Sequence, residues 1–310
     1  MGERPTTALF LMAHGAPNAV VDIPLYLKNI RGGKDSTPEV IKLIQDRYEK
    51  IGGSSPLLDI TRGQAEALEK FVNQDGKNAF KVYFGMRSWS PYIRDVVRQM
   101  VNDGVKKVYA LCLAPQYSTW STERYFKSFK EALTACDAED LEVHYISSWC
   151  DHPCLTDAFV EKYEQAIETL RQQGKDEVHT IFTVHSIPAS SLDAGDPYAE
   201  EYEKTVRKIV ERVKPDRWTM AYQSQGMIPV PWLGPKVEAV LDKIARTGSK
   251  TVLVVPVGFV SDHIEILYDI DIDFKNYARE RKLDLHRTES MNLSPAFIEA
   301  MAAVVWENQV

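Results

Sequence analysis

The sequence predicts an α/β protein built on parallel sheets, and three observations carry that expectation. Short apolar runs with the look of buried strands recur along the chain. Helix-length amphipathic stretches separate them, and strand–helix–strand repetition implies parallel strands with helices on both faces. Turn residues stand where a helix must hand over to a strand, as in Asp103-Gly104 before Val108 and Thr247-Gly248-Ser249 before Thr251.

Strands are expected at Thr7–Met12, Lys81–Phe84, Val108–Leu113 and Glu142–Ser148, then at Thr180–Val184, Trp218–Gln223 and Thr251–Val255. Helices are expected over Thr37–Ile51, Gly63–Val72, Pro91–Asn102, Thr122–Ala135, Ala158–Arg171, Tyr198–Val213 and Pro235–Arg246. Seven strands could form one sheet. However, Ser147–Pro153, carrying Ser147-Ser148 and Asp151-His152-Pro153, reads as a crossover between two smaller ones. The expected architecture is two similar Rossmann-like domains, each a parallel sheet flanked by helices, with the active cleft between them. Their bounds are 1–148 and 149–292, and a C-terminal helix over 293–310 is expected to pack back on the first. No short-period repeat occurs, which excludes a solenoid.

A chain of 310 residues, 44% of them hydrophobic, can bury a large core. Lys and Arg total 37 against 44 Asp and Glu, a formal charge of −7, so nucleic-acid binding has no general electrostatic support. The first apolar run, Ala8–Met12, is too short for a signal-peptide core, and no stretch approaches the ~20 apolar residues of a membrane span. A soluble, cytoplasmic protein is expected. Met1-Gly2-Glu3-Arg4-Pro5-Thr6 fits the loose N-myristoylation pattern, but no polybasic second signal follows it. Cys112, Cys136, Cys150 and Cys154 are expected as reduced thiols. Four thiolates would also serve an iron–sulfur cluster, yet the Cys150–Cys154 spacing is no recognised ligand pattern and Cys112 lies on an apolar strand.

In open parallel sheets, ligands bind beyond the carboxyl ends of the strands, where loops from several strands meet. Five segments fall there: Ala13-His14-Gly15-Ala16-Pro17, Ala114-Pro115-Gln116-Tyr117-Ser118-Thr119, His185-Ser186-Ile187-Pro188, Gln223-Ser224-Gln225-Gly226 and Pro256-Val257-Gly258-Phe259. His185 ends an apolar strand; a packed, hydrogen-bonded histidine and a functional one are both compatible with that place. Glu265, Asp269 and Asp273 recur every four residues and form one carboxylate stripe if the segment is helical. Like charges at that spacing repel by a few tenths of a kcal/mol per pair, so bound or passing cations would explain the stripe, as would a solvated acidic face. Imidazole plus carboxylate suits a labile divalent transition metal such as iron. Tyr117, Trp120, Tyr125 and Trp232 could wall a flat apolar ligand, and Arg31, Arg47 and Tyr48 could hold its carboxylates.

At these residues the chain resembles the ferrochelatase family over essentially its whole length. The resemblance is carried by Val184-His185-Ser186-Ile187-Pro188, Gly195-Asp196-Pro197-Tyr198, Gln223-Ser224-Gln225-Gly226, Pro231-Trp232-Leu233-Gly234-Pro235 and the run from Pro256 through Asp262-His263-Ile264-Glu265. Nearer the N-terminus, Asp46-Arg47-Tyr48 through Ser55-Pro56-Leu57 and Leu113-Ala114-Pro115-Gln116-Tyr117-Ser118 also match. The resemblance implies that His185 and Glu265 bind ferrous iron at the porphyrin centre and that Glu265, Asp269 and Asp273 form the metal path. It implies porphyrin contacts at His14, Arg31, Arg47, Tyr48, Ser55 and Tyr125. Ile30-Arg31-Gly32-Gly33-Lys34 resembles the short members typified by those of Gram-positive bacteria, which prefer coproporphyrin III. His14 stands where that group has a tyrosine able to ligate product iron, which makes His14 a candidate axial ligand to the product.

The expected activity is insertion of ferrous iron into a porphyrin in haem b biosynthesis, with coproporphyrin III favoured over protoporphyrin IX. A non-catalytic haem or porphyrin carrier is the reading from another class, and a sirohydrochlorin-type substrate with cobalt or nickel is a third. Iron is expected as substrate, with no resident cofactor firmly predicted and a [2Fe-2S] cluster disfavoured. The other expectations are a monomer, no nucleic-acid partner, no integral membrane segment and transient contact with neighbouring haem-pathway enzymes.

Overall fold

The computed structural model describes residues 6–309 apart from 75, 77 and 78. Met1–Pro5, where the myristoylation pattern falls, and Val310 lie outside the described residues. The chain divides into two compact units, one made of residues 1–149 and 292–310, the other of 150–291.

In the first unit, β1 (Thr7–Ala13), β2 (Phe80–Met86), β3 (Lys107–Cys112) and β4 (Glu142–Ile146) form a parallel sheet in the order β2-β1-β3-β4. Central β1 pairs Leu11 with Phe84 on one side and with Leu111 on the other. Its residues from Ala8 onward are buried, as a parallel strand covered on both faces requires. The helices are α1 (Ile23–Ile30), α2 (Pro38–Lys50), α3 (Leu57–Val72), α4 (Ile93–Asn102) and α5 (Thr122–Thr134). α4 buries Ile93, Val96, Val97 and Met100, one stripe at the helical repeat. Phe10, Met12 and Phe129 share a core cluster with these residues.

In the second unit, β5 (Val178–His185), β6 (Arg217–Gln223), β7 (Thr251–Pro256) and β8 (Asp284–Arg287) form a parallel sheet in the order β6-β5-β7-β8. Its topology repeats that of the first, with the earliest strand between the second and third. The helices are α6 (Pro153–Gln172), α7 (Ser190–Asp193), α8 (Tyr198–Val213), α9 (Val237–Arg246), α10 (Ile264–Leu267), a π-helical stretch Asp269–Phe274, and α11 (Lys275–Glu280). Ile181, Val252, Val254, Ile266, Ile270 and Phe274 form the core that seats α10 and the π-helical stretch on the sheet.

The last helix, α12 (Pro295–Glu307), belongs to the first unit. Ser294 caps it by accepting from Phe297 N at 3.3 Å, and Pro295 fills its first position. Phe71 of α3 stacks on Trp306 with ring centroids 5.9 Å apart, while Phe297 approaches Trp149 at the same distance.

Each of the seven expected strands forms, with ends moved by one or two residues. Elements beyond the expected set include α1, α7, α11 and β8. α1 is short, and β8 is a four-residue edge strand with polar residues around Leu285, too brief for its periodicity to register. α3 and α6 begin earlier than expected, at Leu57 and Pro153. In α6 the His152 side chain accepts from Cys154 N ahead of the apolar stripe.

Candidate active site

His185 closes β5, opposite Gln223 of β6 in register, so it stands at the carboxyl edge where the strand order of its sheet reverses. Three contacts set its orientation. The buried Tyr198, first residue of α8, donates its hydroxyl to the His185 carbonyl at 3.0 Å. Ser186 N donates to Gln223 O at 2.8 Å, locking the turn to β6. The imidazole Nδ1 makes a short hydrogen bond to the Ser186 carbonyl. A carbonyl only accepts, so Nδ1 carries the hydrogen and Nε2 is the face turned to chemistry.

That face meets a carboxylate: His185 Nε2 is 3.5 Å from Glu265 Oε1. Glu265 is the second residue of α10, and its other oxygen lies 3.6 Å from His263 Nε2. One carboxylate therefore sits between two imidazoles. Gln223, buried at the end of β6, donates Nε2 to the Glu265 carbonyl at 3.0 Å and so ties α10 to the same strand end. Burial works against both charges, but each partner outweighs it. Beside Glu265, His185 is held above the ordinary imidazole range. Beside His185 and then His263, the Glu265 carboxyl is held well below the ordinary carboxylate range. The two shifts favour an ionised couple, in which the imidazolium can release its Nε2 proton and the carboxylate can accept a proton or donate an electron pair to a cation.

The acidic stripe is graded. Asp269 is buried and accepts from Ser224 Oγ at 2.5 Å, whereas Asp273 is exposed. Ser224 holds φ at 56°, a left-handed conformation that turns the chain after β6. The stripe does not run along one regular α-helix. α10 ends at Leu267, and the amide of Asp273 reaches back to the Tyr268 carbonyl, the wider loop of a π-turn. Part of the repulsion expected along the stripe is relieved by the Ser224 hydroxyl, so cations are not needed to explain Asp269.

The remaining expected residues belong to the first unit. His14 follows β1 directly, is exposed, and faces Tyr26 edge-on at 6.2 Å. Gly15 beside it has φ of +89°, and a Cβ there would lie 2.9 Å from Trp89 N, so only glycine lets the loop pass. Arg31, just past α1, is exposed and donates to Ser36 Oγ at 3.1 Å. Arg47 and Tyr48 are neighbours on α2, about 100° apart around the helix, and Tyr48 faces inward at 1% exposure while Arg47 stays half-buried. Ser55 Oγ accepts from Leu57 N at 3.3 Å, and Tyr125 is buried on α5. Trp120 lies under the Arg124 guanidinium at 4.2 Å, and Trp232 packs over Gly226. Cys112 and Cys136 belong to the first unit, Cys150 and Cys154 to the second.

The structure brings His185, Glu265 and Asp269 together and adds His263, Tyr198, Gln223 and Ser224, to which the sequence had lent no specific role. His263 had one local signal, its place two residues before Glu265. Tyr198 stood in the Gly195-Asp196-Pro197-Tyr198 motif, but nothing local pointed to its role, because its hydroxyl reaches a backbone carbonyl on another element.

The fold is that of a chelatase. It resembles the sirohydrochlorin chelatase SirB from Bacillus subtilis subspecies spizizenii, solved in complex with cobalt, with a TM-score of 0.59 over 98% of this chain and 95% of that one, at 9% identity. Sequence narrows the class. The Ferrochelatase family model matches residues 6–309. A ferrochelatase of Herpetosiphon aurantiacus is 38% identical over 299 residues, 96% of this chain and 98% of that one. A coproporphyrin III ferrochelatase of a Geobacillus species is 37% identical over 303 residues, 96% of each chain. The chain belongs to the ferrochelatase family, enzymes that insert iron into a porphyrin in haem biosynthesis. Among the described residues no helix is long and apolar enough to cross a membrane.

Proposed function

We propose that the protein inserts ferrous iron into coproporphyrin III, with His185 and Glu265 facing the metal. The observation that carries this reading is the imidazole Nε2 set 3.5 Å from the Glu265 carboxylate, with Nδ1 committed to a backbone carbonyl. Metallation releases two pyrrole protons as the porphyrin nitrogens take iron and the iron sheds water. Once Nε2 has given up its own proton, by way of Glu265 to solvent, His185 accepts a pyrrole proton or escorts the metal through Nε2, and Glu265 supplies the negative charge that stabilises either state. Asp269 and Asp273 extend the carboxylates from the buried to the exposed end, which suits passage of a hydrated cation. A planar macrocycle hides its nitrogen lone pairs, so the ring must be bent. Binding energy from propionates on Arg31 and Arg47, with Tyr48, Ser55 and Tyr125 as further contacts, holds the distorted ring.

The relative named for coproporphyrin III supports that substrate over protoporphyrin IX. His14 takes the role of axial ligand to the product iron, since imidazole binds iron better than a neutral phenol. Iron enters as substrate, and no resident cofactor is assigned. The protein works in the cytoplasm as a monomer, meeting neighbouring haem-pathway enzymes only transiently.

Anaerobic initial rates with ferrous iron and either coproporphyrin III or protoporphyrin IX test this reading. Coproporphyrin should turn over faster, and both His185→Ala and Glu265→Gln should abolish turnover. A protoporphyrin preference would overturn the substrate assignment. Undiminished rates in either variant would overturn the site. His14→Ala should release iron coproporphyrin faster than the wild type; equal product affinity would remove His14 from the axial position.

A further inference from the structure

Glu265 and Asp269 lie on a stretch of chain whose two ends are gripped by one arginine. Arg287, the last residue of edge strand β8, sets Nε 3.1 Å from each carboxylate oxygen of Asp271 and Nη2 2.9 Å from Asp271 Oδ2. The same Nη2 stands 3.3 Å from Asp262 Oδ1, and Nη1 donates to the Thr288 carbonyl at 3.1 Å. Ser290 Oγ donates to Asp262 Oδ1 at 2.7 Å, and Lys275 Nζ donates to Asp271 Oδ1 at 3.1 Å. Asp262 precedes Glu265 by three residues and Asp271 follows Asp269 by two, so the guanidinium spans the segment that carries Glu265 and Asp269.

This is no loose surface pair. The side chains of Arg287, Asp262 and Asp271 are 14%, 20% and 24% exposed. A fork of planar donors against a carboxylate fixes geometry as well as charge, which the point charge of a lysine does not reproduce. The segment between the anchors cannot hold its own direction. α10 is four residues long and the π-helical stretch six, far below the length at which helical hydrogen bonding alone is stable. Its core contacts, Ile266, Ile270 and Phe274, set its depth, while the Arg287 clamp resists rotation about its axis.

We propose that Arg287 is a positioning residue for metal binding: by gripping Asp262 and Asp271 together, it keeps Glu265 against His185 and Asp269 against Ser224. The inference rests on the reading of His185 and Glu265 as the metal-facing pair.

Three readouts on Arg287→Lys test it: Co2+ affinity by calorimetry, amide hydrogen exchange over residues 264–273, and the KM and kcat of iron insertion. Supporting disruption of an orienting shell costs roughly tenfold or more in metal affinity or rate. The expected result is about tenfold weaker Co2+ binding and a matching fall in kcat. Exchange should quicken at residues 264–273, with porphyrin KM and thermal midpoint retained. Wild-type Co2+ affinity and exchange in the variant would overturn the proposal, as would porphyrin binding and thermal midpoint falling in step with metal affinity. If Arg287→Lys does not fold, Asp271→Asn, which keeps the Asp262 contact, decides by the same measurements. His185→Ala separates the two readings. If it leaves Co2+ affinity unchanged, the metal site itself is misread and the inference falls with it; if it weakens Co2+ while Arg287→Lys does not, only the inference falls.

Discussion

An imidazole and a carboxylate 3.5 Å apart govern each other's protonation, and a pH dependence follows with a definite sign. Glu265 is held low, so its stabilisation is present above the ordinary carboxylate value of 4.5 and is lost as pH falls through its folded value. His185 is held high, so its share is present below the ordinary imidazole value of 6.5 and is lost as pH rises through its folded value. The difference in thermal midpoint between wild type and Glu265→Gln should be widest between those ordinary values and shrink on both sides. A gap that is flat with pH would refute the ionised couple. Metal binding adds a second consequence, because a cation at Nε2 competes with the proton there. Removing the Glu265 charge leaves burial as the dominant influence on His185, so the midpoint of Co2+ affinity against pH should move to lower pH in Glu265→Gln. Titration calorimetry across the pH range checks it. At this scale His185 and Glu265 were legible in the sequence, one as the end of an apolar strand and the other as the head of an acidic repeat. Tyr198 and Gln223 stood in segments the sequence marked, but their roles were not legible, because they act on backbone carbonyls of distant segments and no local pattern records such contacts.

The elements that carry the site depend on a close fit between β5 and the turn after β7. A Cβ at Gly258 would come within 2.9 Å of Val184 Cγ1 and 3.0 Å of Val184 Cα, so the strand end just before His185 would have to shift. Gly258→Ala should cost about 1–3 kcal/mol, the usual penalty for overpacking, and should lower iron-insertion rates through displacement of His185. Urea unfolding measures the first effect, and a variant as stable as wild type would show that the turn can yield. A second test concerns Ser224, whose hydroxyl is a partner of the buried Asp269. Ser224→Ala takes that donor from a carboxylate, and the loss of a hydrogen bond to a charged group costs about 1.5–3 kcal/mol. Metal affinity should change with it, and an unchanged value for both would remove Ser224 from the site. Expected element boundaries agree with the structure where a buried apolar stripe repeats, as in α4, α8 and α9. They fail at β8 and at the α10–π stretch. β8 is too short for periodicity, and the π-turn is a property of backbone hydrogen bonding that an every-four-residue acidic repeat does not distinguish from an α-helix.

For the whole molecule, the chain builds the same strand order twice, and the first unit is completed by residues from the far end of the sequence. Phe297, Met301 and Val305 of α12 are fully buried. Truncation before Asn292 should strip that cover from α3, and the shortened protein should lose cooperative unfolding of its first unit; calorimetry showing an intact transition would contradict this. Residue pattern alone was enough for the fold class and for the edges at which chemistry occurs. Strands buried on both faces must be apolar, helices covering them must be amphipathic, and a polar residue ending such a strand stands at the sheet's carboxyl rim. Tertiary structure alone decided that His263 shares the Glu265 carboxylate, that Ser224 answers Asp269, and that Arg287 of an unpredicted strand grips Asp262 and Asp271 together. Periodicity is a record of which face each residue turns to the core, and it holds no information about which charged groups from separate elements finish within hydrogen-bonding reach of one another.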